Sequence, residues 1–269
     1  MQKVIILALA VSLLMTENAL SQKKETRNVA SFSELSFGVP GKLYLKQGTT
    51  EKVELEGDAD ILEKIETVVT GNQLHIRHKE KNHSWNGQQI TAYVTMKNIE
   101  GIGVSGSGDI IGEGIFSSDN IDLKVSGSGN LTVQANASGE MDADISGSGN
   151  IDVKGKSKSF DSDMSGSGKL TMSVTVTNDA SFNISGSGKI SAEGSSETVK
   201  VSISGSGKIL GADFETKVCN IKIAGSGDIE IGVRDEINAD IAGSGHVSYR
   251  GNPSKVHSNS AGSGKVRKM

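Results

Sequence analysis

The sequence predicts an all-β chain wound into a right-handed parallel β-helix, a solenoid whose rungs are each about 20 residues long. Three observations carry that expectation. A Gly-Ser-Gly triplet opens at Gly106, Gly127, Gly147, Gly166, Gly186, Gly205, Gly225, Gly243 and Gly262, at intervals of 18 to 21 residues. Around each triplet the residues alternate between apolar and polar. Phe160, Met164, Leu170, Met172 and Val174 share one parity; Asp161, Asp163, Ser165, Ser167, Lys169, Thr171 and Ser173 share the other. Such alternation means extended chain with one buried face, and it excludes helix. Finally, both glycines of each triplet fall on the apolar parity. Right-handed winding follows from the handedness of parallel strand connections.

Glycine inside a strand costs backbone entropy and packs nothing, so the triplet needs a structural reason. Either the wall bends where the opposite wall comes close, or the triplet is a tight turn with a glycine at positive φ. Both readings make it a corner repeated rung on rung. A phosphate-binding loop is not expected, because no helix start follows the glycines. The same parity predicts that Ile145, Ile184, Ile203 and Ile223 form one buried column. The short polar stretches Lys154–Lys158 and Gly194–Glu197 read as loops between rungs.

Three segments are expected along the chain. Residues 1–21 read as a signal peptide: Lys3, the apolar run Val4–Met15, then Ala19-Leu20-Ser21 before the cut. The run is too short to span a membrane, and no cysteine near the cut offers a site for a lipid anchor. Export to the periplasm, the outer-membrane surface or the medium is therefore expected. Residues 22–104 form an irregular β-rich segment covering the first rung, and residues 105–269 form the repeat. Within the former, Leu43-Tyr44-Leu45 and Val53-Glu54-Leu55 suggest a hairpin around Gln47–Thr50. Ile61, Leu62, Ile65, Val68 and Val69 suit a short helix, and Leu74–Arg77 and Ile90–Met96 suit strands.

Composition agrees with a thin core: 34 glycines, 2 prolines and 4% aromatics in 269 residues. A net charge of −4 gives no electrostatic footprint for nucleic acid or for an acidic membrane surface. The single cysteine, Cys219, lies on the inward parity and reads as a small buried hydrophobe, leaving stacked strands to supply stability. His75 and His78 are three apart on a strand and face opposite sides, so they make a poor metal pair. Trp85 sits in a polar loop and reads either as a contact residue for a partner or, as the first choice, as folded back on its own segment's core. No Ser/His/Asp order, CxxC or HExxH motif is present.

One constellation stands out. Asp122, Asp142 and Asp161 occupy one outward column; Lys124, Asp144 and Asp163 occupy the next. Adjacent rungs bring equivalent positions to about 5 Å, so the carboxylates crowd together. A solvated acidic surface is the first reading. A Ca²⁺ site on Asp142, Asp144, Asp161 and Asp163 is the second, and a catalytic carboxylate pair the third.

The opening FSELSFGVPGKLYLKQGTTEKVELEGDADILEKIETVVTGNQLHIRHK, with the repeated ISGSGKI and ISGSGNI, resembles the head GIN domain family of candidate auto-transporter adhesins found in Bacteroidetes-type bacteria. The resemblance covers about residues 30–265. It implies a right-handed β-helical fold, an adhesin role and no catalytic residues or cofactors. The expected function is thus an exported, non-enzymatic protein that binds a surface ligand, glycan or protein, through its long polar face. A carbohydrate-active enzyme on the acidic patch and a self-associating envelope protein are the alternatives. Neither nucleic acid nor a membrane span is expected.

Overall fold

The computed structural model describes residues 22–80 and 84–269. The expected signal peptide lies outside these. The chain begins with β1 (Gln22–Arg27), β2 (Glu34–Phe37), β3 (Gly41–Gln47) and β4 (Lys52–Asp58). A four-residue helix α1 (Ala59–Leu62) leads to β5 (Ile65–Thr70), β6 (Gln73–His78) and β7 (Ile90–Met96). The repeat then runs through β8 (Gly101–Val104), β9 (Asp109–Ser118), β10 (Ile121–Gly127), β11 (Asn130–Ala137), β12 (Glu140–Gly147) and β13 (Asn150–Ser157). It continues through β14 (Ser159–Gly166), β15 (Lys169–Val176), β16 (Asp179–Gly186) and three long strands that bend at mid-length, β17 (Lys189–Gly205), β18 (Lys208–Gly225) and β19 (Asp228–Gly243). β20 (His246–Arg250), β21 (Lys255–Gly262) and β22 (Lys265–Lys268) follow.

The result is a parallel β-solenoid in which every rung contributes a strand to each of two ladders. One ladder stacks β6, β2, β8, β10, β12, β14 and β16, then the second halves of β17, β18 and β19, then β21. The other stacks β7, β3, β9, β11, β13 and β15, then the first halves of the long strands, β20 and β22. Register is kept from rung to rung because repeats of nearly equal length place like residues opposite one another. Ile145, Met164, Ile184, Ile203, Ile223 and Ile241 pair in that order and are all buried. Cys219 is fully buried between Val199 and Ile237, and burial pushes its thiol up to about 12.

The triplet combines both sequence readings. Its first glycine has φ between +118° and +144° at Gly127, Gly147, Gly166, Gly186, Gly205, Gly225, Gly243 and Gly262, so it is the turn residue. Gly106 stands apart: it meets Gly38 of the rung below loosely and is not at positive φ. The second glycine is the buried one. A Cβ on Gly168 would lie 2.5 Å from Ile145 Cγ2, inside the core wall. The opposite corner uses hydroxyls instead. Ser118, Ser196 and Thr216 each donate to the carbonyl two residues on, at 2.6, 3.1 and 3.1 Å.

The interior is filled by matching large to small. Phe160, Phe182 and Phe214 lie on successive rungs with ring centroids 6.2 and 5.7 Å apart. Across the core, Gly155 and Gly194 occupy the same column as Phe214. The stretches read as loops, Lys154–Lys158 and Gly194–Glu197, are strand over most of their length; the second corner itself is tight.

The N-terminal segment differs from expectation in two places. β3 and β4 do not form a hairpin. β7 inserts between them, parallel to β3 and antiparallel to β4. Ile65, Val68 and Val69 lie in β5 rather than on a helix, and β5 turns back at Gly71 to pair antiparallel with β6. β5 on one ladder, and β4 with β1 on the other, thus close the stack with antiparallel strands, which blunts the open edge. His75 and His78 do face opposite sides, and Trp85 packs against the core with its ring edge-on to His78 at 5.5 Å.

Candidate functional site

The outer face of the first ladder carries three columns of polar side chains set by strand parity. Asp122, Asp142, Asp161 and Ser181 stack in register. Lys124, Asp144, Asp163, Asn183 and Ser202 stack beside them. Ser126, Ser146, Ser165, Ser185 and Ser204 form the third column, next to the glycine corner. The second and third columns line a shallow groove of about 530 Å³ that runs along the solenoid axis. All four carboxylates of the expected cation site therefore stand on adjacent rungs.

Their closest grouping is not the expected foursome. Glu140, Asp142 and Asp161 present oxygens within 4.8 Å of one another. Glu140 was missed by the sequence reading, although it stands two residues before Asp142 on the same outward parity. Asp144 is drawn off by Lys124, whose ammonium lies 3.0 Å from Asp122 and 3.8 Å from Asp144. Asp163 is exposed at the groove.

The electrostatics follow from crowding and partial burial. Asp142 is raised from 3.8 to about 7, first by loss of solvent and then by the charges of Glu140, Asp122 and Asp161. Asp144 and Glu140 are also raised, mainly by burial; Lys124 partly offsets this at Asp144. Lys124 is raised in turn, chiefly by its hydrogen bond to Asp122. Asp142 is therefore partly protonated near neutral pH. Chemically it can accept a cation or hydrogen-bond a hydroxylated ligand, and a protonated Asp142 can donate. Glu140, Asp142 and Asp161 could supply three of the six to eight oxygens that Ca²⁺ takes.

A second acidic hollow lies beside it at the opposite corner, lined by Glu34, Glu100, Asp119 and Asp122 among others. Ser33 and Asn72 hydrogen-bond Glu100 at 2.6 and 3.4 Å, holding its carboxylate in place. No signal in the sequence joins Glu34 to Asp119, because β2 and the corner after β9 line one hollow only through the stacking of rungs.

Comparison with known proteins places this architecture. Among solved structures, a "putative lipid binding protein" from Parabacteroides distasonis aligns at 22% identity and TM-score 0.68, covering 92% of this chain and 96% of that one. A "putative adhesin" from the same organism aligns at 20% identity and TM-score 0.68, over 93% and 97%. Another "putative adhesin", from Parabacteroides merdae, aligns at 19% and 0.65, over 92% and 96%. At these identities the likeness is one of fold. No curated protein sequence matches the chain. The family profile described as "Putative auto-transporter adhesin, head GIN domain" matches residues 31–193 and 158–253. Corner glycines, parallel ladders and profile agree: the chain belongs to the head GIN domain family.

Proposed function

We propose that this chain is an exported, non-enzymatic binding protein of the adhesin type, and that its ligand lies in the groove of the first ladder. The observation carrying this reading is the groove's lining. Lys124, Asp144, Asp163 and Asn183 face Ser126, Ser146, Ser165 and Ser185 at the fixed rung spacing. A row of donors and acceptors repeated about every 4.8 Å suits an extended, hydroxyl-rich chain better than a compact small molecule. Membership of an adhesin-type family supports the same reading. A glycan array with the purified protein tests it. Retained binding to an extended glycan, lost in Asn183→Lys, is the expected result. Binding unchanged by that substitution, or absent from the whole array, would remove the groove from consideration.

A second reading has its own observation. Asp142, raised to about 7, stands beside Asp122 and Asp161, and carboxylates held in unlike states can divide acid and base roles. Release of reducing sugar from a bound glycan, abolished by Asp142→Asn, would favour that enzyme over a binding protein.

A further inference from the structure

The far end of the solenoid differs in charge from the rest. From residue 250 to residue 269 the chain carries Arg250, Lys255, Lys265, Arg267 and Lys268 and no Asp or Glu, against a net charge of −4 for the whole sequence. These residues lie at the end of β20 and on β21 and β22, the last described strands of the two ladders, so the fold gathers them at one end. Arg250 and Lys255 are paired, with Asp213 and Glu236. Lys265, Arg267 and Lys268 are in no salt bridge among the described residues; Arg267 and Lys268 meet only neutral groups, Ser248 and Asn252.

Within this cationic rim the end is partly apolar. Val256 is 45% exposed and Met269 51%, two of the few large apolar side chains left in solvent. The inward positions after Val256 change character as well. Ala239 and Ile241 are followed in register by Ser258 and Ser260. Two copies meeting at this end would each find hydroxyls where the core of a rung should be, and their like charges would repel.

The geometry points to this end as a docking surface for an anionic lipid bilayer. Unpaired cations would meet the phosphate headgroups while Val256 and Met269 enter the boundary of the acyl region. A soluble polyanion would satisfy the cations and leave the apolar side chains exposed. This surface is separate from the groove and stands or falls without it.

Co-sedimentation of the full chain with vesicles tests the inference. Vesicles of phosphatidylcholine containing phosphatidylglycerol should pull the protein down at low salt and release it at high salt; pure phosphatidylcholine should not bind it. The charge-reversed variant Lys265→Glu/Arg267→Glu/Lys268→Glu should lose about tenfold in bound fraction, and Val256→Asp should weaken binding too. Lys265→Gln, a milder change on an exposed side chain, should show a partial loss even if the reversal disturbs β22. Lys169→Glu, on the side wall, should bind as the parent does. Absence of sedimentation, equal binding to neutral vesicles, or loss on charge reversal with Val256→Asp unaffected and heparin or DNA bound equally well would overturn it. So would a charge-dependent oligomer with no vesicle binding.

Discussion

Gly186 stands directly above Gly166, and a Cβ on Gly186 would lie 2.7 Å from the Gly166 carbonyl oxygen. Gly186 is also at φ +121°. Two separate constraints therefore forbid a side chain there, one of backbone conformation and one of space. Relieving the clash would spread the ladder at Ser187 N to Gly166 O, a 2.9 Å bond. Gly186→Val should cost at least 2–3 kcal/mol, roughly the strain of a β-branched residue at positive φ plus the lost contact. Ser187→Lys, on the exposed residue beside it, should be nearly neutral. Chemical denaturation of the two variants checks this. A damaging Ser187→Lys with a tolerated Gly186→Val would mean the corner is turned the other way.

Phe182 packs between Phe160 and Phe214, and its column partners are Ser162 and Val201. Truncation there leaves a cavity that neither the small Ser162 nor the fixed backbone of the wall can fill. Phe182→Ala should cost about 3–5 kcal/mol. Ile184→Asp, which buries an unpaired carboxylate in the adjoining column, should cost several kcal/mol as well. Urea melts of both, with the slope of the transition recorded, test whether the solenoid unfolds as one unit or loses these rungs separately.

The columns were legible because the repeat fixes register: once Gly147, Gly166 and Gly186 are aligned, Ile145 must stand over Ile184's column and Asp142 over Asp161. Parity then settles which side chains are buried. Glu140 obeys the same rule, on the outward parity two residues before Asp142, but it opens β12 at the corner, where the in-register column holds Ser159 and no second carboxylate. The N-terminal errors have another origin. Leu43–Leu45 and Val53–Leu55 flank a turn-like stretch, but β7, more than 30 residues on, competes for the same strand edges and wins. Local alternation cannot report such a competitor. Val68 and Val69 are similar. A β-branched run at an edge satisfies both a helical and a strand pattern over so few residues, and pairing with β6 decides it. The second corner was legible only approximately, at Lys154–Lys158 and Gly194–Glu197, because Ser118, Ser196 and Thr216 turn the chain at that corner with no repeated glycine triplet to mark it.

The acidic cluster makes a further expectation about cations. Glu140, Asp142 and Asp161 converge from two strands of one face and leave much of the coordination sphere to water. Repulsion of about 1 kcal/mol per close exposed pair is relieved by general screening and by sharing protons, with no specific ion needed. Melting temperature should therefore rise equally with Ca²⁺, Mg²⁺ and Na⁺ at matched ionic strength, and Asp161→Asn should give a small gain in stability. A Ca²⁺-specific rise of several degrees, abolished by Asp161→Asn, would make the cluster a binding site.

The same crowding gives stability a particular pH dependence, and its sign follows from Asp142. Its carboxyl is raised in the fold to about 7 from an ordinary value of 3.8. The folded protein thus holds a proton that the unfolded chain releases much earlier. For a raised group the favourable contribution is complete below the unfolded value. It declines as pH climbs and is gone once the folded value is passed. Stability should therefore fall from about pH 4 to pH 7 and level off above that range. Asp142 is half-buried, so screening by solvent reduces the effect to about 1–2 kcal/mol. Asp142→Asn cannot ionise; it should flatten this slope and melt higher than the parent at pH 8. Asp144 is raised too, mainly by burial, which adds to the fall. Thermal melts of parent and Asp142→Asn across the range provide the measurement. A parent that gains stability between pH 5 and pH 8, with the variant following the same curve, would show that Asp142 ionises freely in the folded chain.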